Sequence, residues 1–130
     1  MIVTTLREII FSMQSGQRVS KIILKSSPDM LCTNLVCEKV TLPCMCKLEA
    51  TLNKINLDYC TLLDLSGNNM TSLPNNISRM KNLNELHIQN NLLVSIDDTL
   101  FENMTDLKLI NVTGNPLQRI PENVKKLCIF

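Results

Sequence analysis

The chain has 130 residues, yet it holds three glycines, one histidine, four aromatic residues and no tryptophan. Its glycines stand far apart, so no G-x-G-x-x-G loop can cradle a phosphate. His87 has no second imidazole beside it in sequence, and no Ser-His-Asp arrangement accompanies it. No catalysis, cofactor, metal centre or small-molecule substrate is therefore expected. Scarce aromatics and the absence of basic runs argue against nucleic acid. The net charge of +1 gives no single-sign field to steer a charged partner. No apolar run approaches the roughly 20 residues a membrane-spanning helix needs. At 45% apolar residues the chain can bury a core, and its length suits one domain.

The opening residues, MIVTTLREIIFSMQSGQRVS, make a poor signal peptide. Arg7 and Glu8 interrupt the apolar stretch, and no small-residue cleavage site follows. Ile2, Leu6, Ile9, Ile10 and Met13 fit one face of a short packed helix.

What the chain does have is self-similarity. The stretch LDLSGNNMTSLP, residues 63–74, returns as LHIQNNLLVSI at 86–96 and as INVTGNPLQRIP at 110–121. The common frame is L-x-x-L-x-L-x-x-N-x-L-x-x-L. Cys60, Leu63, Leu65, Asn68, Met70 and Leu73 fill the first copy. Leu83, Leu86, Ile88, Asn91, Leu93 and Ile96 fill the second. Leu107, Ile110, Val112, Asn115, Leu117 and Ile120 fill the third. Every apolar slot is apolar, counting Cys60, and every Asn slot is Asn.

Each frame reads as a short strand followed by a bend. The alternating part turns one side inward, and successive strands pair in parallel. The bend leaves buried amide and carbonyl groups that need partners. An Asn side chain has both a donor and an acceptor, so Asn68, Asn91 and Asn115 are expected to stack as a ladder that satisfies them.

This frame resembles the leucine-rich repeat. The resemblance implies an α/β leucine-rich-repeat solenoid. Short parallel strands would form the concave face, loops and short helical turns the convex face, and a cysteine-rich segment the N-terminal cap. The outer segments fit: Leu73, Ile77, Met80 and Leu83 point inward, as do Ile96, Phe101, Met104 and Leu107. Asp97 and Asp98 suit the start of a helical turn. At the C-terminus, Ile120, Val124, Leu127 and Phe130 continue the frame. Phe130 falls where Leu83 and Leu107 fall, which reads as a chain stopping one strand short of a further repeat. The expected division is therefore 1–31 unassigned, 32–60 a cysteine-rich cap, and 61–130 about three repeats, truncated at the C-terminus.

Six cysteines are many for this length, and Cys32, Cys37, Cys44 and Cys46 cluster. Such clustering suggests disulfides and an oxidising compartment. Zinc is a competing reading, but C-x-C is a poor chelating step. Cys60 is open to two states, a disulfide with Cys44 or Cys46 or a buried thiol acting as a small hydrophobe. Cys128 has no obvious partner. The segment PCMCKLEATLNKINLDYC, followed by LDLSGNNMTSLP, resembles the cysteine-flanked repeat block of insect Toll-type receptor ectodomains. That resemblance implies Cys37–Cys46 and Cys44–Cys60 pairs, with Cys32 left over. It also implies an extracellular or secreted location, despite the unconvincing leader. A cytosolic repeat scaffold with reduced cysteines is the alternative.

Glycan acceptor sequences occur at Asn69, Asn76, Asn103 and Asn111. The first three are expected on loops or the convex side, and Asn111 on the concave strand. The outward strand positions are Leu62, Asp64 and Ser66, then Glu85, His87 and Gln89, then Leu109, Asn111 and Thr113. This mildly polar mixture suits protein recognition. Asp64, Ser66, Glu85, His87, Gln89, Asn111 and Thr113 are the candidate contacts for a protein ligand or receptor partner.

Overall fold

A computed structural model describes residues 1–28 and 45–130. Cys32, Cys37 and Cys44 lie outside the described residues, as does the first part of the expected cap, residues 32–44.

Six short strands form one all-parallel sheet in chain order. They are β1 (Ile2–Val3), β2 (Lys21–Ile23), β3 (Leu62–Asp64), β4 (Glu85–His87), β5 (Leu109–Asn111) and β6 (Cys128–Ile129). A parallel pair needs a crossover, and the described helical elements of successive crossovers pack against one another. The crossovers carry α1 (Leu6–Ser15), α2 (Cys46–Leu52), 3₁₀ turns at Asn75–Arg79 and Asp98–Phe101, and α3 (Glu122–Lys125).

The register fixes the two faces. Val3, Ile22, Leu63, Leu86, Ile110 and Cys128 are aligned neighbours. All but Cys128 are fully buried beneath the crossovers. Leu73, Ile77, Met80 and Leu83 close the core from the other side, joined by Ile96, Phe101, Met104 and Leu107. Each fully buried aliphatic side chain contributes about 1.5–3 kcal/mol.

The asparagine ladder carries the polar part of the fold. Asn68 Nδ2 donates to the carbonyls of Leu24 and Leu65, at 2.8 and 2.9 Å. Asn91 Nδ2 donates to those of Leu65 and Ile88, both at 3.0 Å. Asn115 Nδ2 donates to those of Ile88 and Val112, at 2.8 and 3.0 Å. Each amide thus joins its own strand to the preceding one. Its Oδ1 meanwhile accepts from the preceding bend. Ser27 N–H donates to Asn68, Asn68 N–H and Met70 N–H to Asn91, and Leu93 N–H to Asn115. The residue just before each rung is left-handed: Gly67 has φ +70°, Asn90 +58° and Gly114 +75°. Ser26 has the same sign, with φ +43°. Ser27 therefore occupies the slot held by asparagine in the later repeats.

The sheet thus runs through the segment that sequence left unassigned. Val19, Ile22, Leu24 and Ser27 make a repeat whose rung is serine, and β1 precedes it. Within that segment the expected helical face is corrected. Ile2 lies in β1, and α1 buries Leu6, Ile9 and Ser12. Ile10 and Met13 are exposed. Thr5 caps α1 by accepting from Glu8 N–H, and Glu8 Oε1 accepts from Thr4 N–H and its hydroxyl. These bonds hold the Glu8 carboxyl below its ordinary range, the Thr4 hydroxyl contributing most.

The C-terminal register is corrected as well. Cys128 pairs with Ile110 and Ile129 with Asn111, so residues 128–129 form the sixth strand. Phe130 follows that strand and is 65% exposed, instead of sitting in the slot of Leu83 and Leu107. The crossover from Ile110 to Cys128 is shorter than the two before it, which moves the frame.

Candidate functional site

The face of the sheet opposite the crossovers carries the candidate residues in two aligned rows. One runs Ile2, Lys21, Leu62, Glu85, Leu109. The other runs Ile23, Asp64, His87, Asn111, Ile129. Of the expected outward positions, Leu62, Asp64, Glu85, His87, Leu109 and Asn111 stand in these rows, while Ser66, Gln89 and Thr113 follow the strand ends. The register also brings Lys21, Ile23 and Ile129 to this face. Their strands were missed in sequence, so these residues were missed too.

Not every candidate is available there. Asp64 is 7% exposed and Ser66 is 6% exposed. Asp64 Oδ1 accepts from Ser66 N–H at 3.0 Å and from its hydroxyl at 2.7 Å. The pair closes the turn at the end of β3, which makes it a structural lock and corrects the expectation of two solvent-facing contacts. Lys25 Nζ approaches Asp64 Oδ2 at 4.0 Å, an exposed cation over a mostly covered acid. Asn111 repeats the lock at β5, with Oδ1 accepting from Thr113 N–H at 3.1 Å.

His87 stands in the same row between those two locks. Its Nε2 lies 4.0 Å from Glu85 Oε2 on the same strand. Glu85, His87 and Gln89 are all half-buried, and Thr113 is exposed. The Oε1 of Gln89 is covered and has no hydrogen-bond partner. Among the described residues, no three His, Cys, Asp or Glu side chains come together to hold a metal ion.

The remaining candidates separate by burial. Asn69 and Asn103 are exposed. Asn76 is 4% exposed, and its Nδ2 donates to Asn53 Oδ1 at 2.6 Å and to the Glu49 carbonyl at 3.4 Å. That nitrogen is the atom a glycan would need, so the expectation of a projecting sugar at Asn76 is corrected. Of the two states open to Cys60, the structure has the thiol. It is fully buried in the slot of Leu83 and Leu107, and its Sγ donates to the Leu62 carbonyl at 3.4 Å. Cys128 is half-buried, with Sγ 3.3 Å from the Val124 carbonyl.

Comparison with known proteins agrees with this geometry. The leucine-rich repeat family model matches residues 81–126, which span β4, β5 and α3. A Danio rerio protein, leucine-rich repeat and fibronectin type III domain-containing protein 1-like protein, is 37% identical over 60 residues. That alignment covers 45% of this chain and 9% of the relative. The match and the all-parallel sheet fit an α/β leucine-rich-repeat fold, a module that typically binds protein. Among the described residues, no helix is long and apolar enough to cross a membrane.

Proposed function

We propose that this chain is a non-enzymatic, protein-binding repeat module that works outside the cell. In this reading it is part of a receptor ectodomain of the Toll type and contributes to ligand recognition or receptor pairing. The contact residues are Glu85, His87, Gln89 and Thr113, with Leu62 and Leu109 as apolar neighbours. Asp64, Ser66 and Asn111 hold the strand ends beneath them.

One observation carries the recognition part. The open sheet face sets the half-buried side chains of Leu62, Glu85, His87, Leu109 and Asn111 in register across β3, β4 and β5. Mixed surfaces of this kind suit a protein partner, where polar groups are paired on contact. The receptor context is supported by the cysteine-rich sequence before the repeats and its likeness to the Toll-type block.

Two measurements test the reading. The chain, displayed on cells or fused to a dimeric carrier, is screened against secreted and cell-surface proteins. A genuine ligand loses binding with Glu85→Lys or His87→Glu while circular dichroism stays unchanged. Ligands indifferent to both variants would overturn the assignment of this face. Thiol titration of denatured, unreduced protein from its native source tests the compartment. Two or fewer free thiols support the extracellular reading, and more than two overturn it.

A further inference from the structure

The helix side of the molecule holds a second surface, unrelated to the sheet face. Between α1 and α2 lies an open groove of about 840 Å³. Its floor includes Leu6 and Thr51, and its walls include Ile10 and Phe11 on α1 and Ala50 on α2. Ile10 is 37% exposed and Phe11 55% exposed, although a helix of this kind normally turns such residues inward. The inward face of α1 is already complete with Leu6, Ile9 and Ser12. Ile10 and Phe11 are therefore surplus to the core.

The charges around the groove have one dominant sign. Arg7 stands on the α1 wall and Lys47 on the α2 wall. The acid in the lining is Glu8, whose Oε1 already accepts from Thr4. Further along α1 a smaller hollow of about 290 Å³ adds Arg18 and Lys54 beside exposed Met13 and Tyr59. Arg18 lies over the Tyr59 ring at 4.4 Å from its centroid. Each hollow thus sets two cations beside exposed apolar side chains, and Glu8 is the one acid in the two linings.

We infer that the α1–α2 groove is a docking site for an amphipathic helix with acidic flanks, supplied by another protein. The apolar strip takes residues at i, i+3, i+4 and i+7, and Arg7 and Lys47 meet carboxylates on either side. A recess between two helices suits a helix better than a bilayer, which favours apolar side chains that protrude. A second copy of this chain fits poorly, since its own α1 and α2 would bring Arg7 and Lys47 against like charges. The inference stands whether or not the sheet face binds protein.

The test uses the whole chain and fluorescence anisotropy. The probe is a labelled helix-forming peptide of about 15 residues, with Leu and Phe on one face and Glu on the other. A control peptide keeps the apolar face and replaces Glu with Lys. Anionic phospholipid vesicles serve as a third probe. The acidic peptide is expected to bind at least about tenfold more tightly than the basic one, and to weaken as salt rises from about 50 to 300 mM. Phe11→Asp and Lys47→Glu are each expected to weaken it about tenfold or more with an unchanged circular dichroism spectrum. Three results would overturn the inference: no acidic-peptide binding, equal binding of both peptides, or binding that ignores Phe11→Asp and Lys47→Glu. Binding to vesicles without binding to the peptide would also overturn it, in favour of a lipid surface.

Discussion

Asn91 Oδ1 accepts the backbone N–H of Asn68 at 2.9 Å, across 23 residues of chain. The same oxygen accepts from Met70 N–H, and the same amide group donates to Leu65 and Ile88. One side chain thus closes polar groups in two repeats. Asn91→Leu would strand several of them in a buried place. A loss of at least about 1–3 kcal/mol is expected in urea unfolding, with Asn91→Asp intermediate because it keeps the acceptor. A neutral Asn91→Leu would show that the ladder does not carry the fold.

The left-handed positions make a second prediction. Gly16 and Gly67 have φ of +71° and +70°, but their surroundings differ. A Cβ on Gly16 meets nothing within 4 Å, whereas one on Gly67 would lie 2.5 Å from Ser26 Oγ. Gly16→Ala should cost about 1–2 kcal/mol, the strain alone. Gly67→Ala should cost more, and adding Ser26→Ala should recover the excess, since the next atoms stand 3.7 Å away. A double-mutant cycle by urea unfolding measures that recovery.

Burial pushes the Cys60 thiol from 9.0 up to about 11. The unfolded chain therefore loses this proton first as pH rises. The resulting stability is fully present below about pH 9 and is lost toward pH 11, about 2–3 kcal/mol in all. The urea midpoint of the native chain should fall relative to that of Cys60→Ala across this window. Parallel pH profiles would contradict the buried thiol.

Glycan occupancy offers a fourth check. Expressed through a eukaryotic secretory pathway, the chain should carry sugar at Asn69 and Asn103. Asn69→Gln and Asn103→Gln should each remove one gel-mobility step, and Asn76→Gln none. A step lost with Asn76→Gln would contradict the buried amide that Asn53 and Glu49 hold.

The central repeats were legible because their chemistry repeats at nearly constant spacing. Asn68, Asn91 and Asn115 stood out, since a buried bend needs a side chain with both donor and acceptor. Strands β3 to β5 and their outward rows followed from that. Strands β1 and β2 were hidden, because Ser27 fills the rung and a long insertion separates Ile22 from Leu63. The visible hints were Val19-x-x-Ile22-x-Leu24, followed by Ser26-Ser27 where later repeats have Gly-Asn or Asn-Asn. The burial of Asp64 and Ser66 was not legible. Alternation assigns a side chain to a face but does not reveal that it turns back to bond its own backbone. Asn76 misled for a similar reason, since a loop sequence gives no sign that its amide reaches into the neighbouring crossover.

The spacing between aligned strand residues varies widely while the sheet register does not. Ile22 and Leu63 pair directly although 41 positions separate them (63 − 22), and Ile110 pairs with Cys128 over 18 (128 − 110). The amide ladder sets the strand-to-strand step locally, so the outer arc is free to lengthen or shrink without disturbing it. Such an architecture keeps its sheet face constant while the opposite flank serves as a site for grafting. New peptide inserted between Ile22 and Leu63 would change what the molecule wears on its back and leave its palm unaltered.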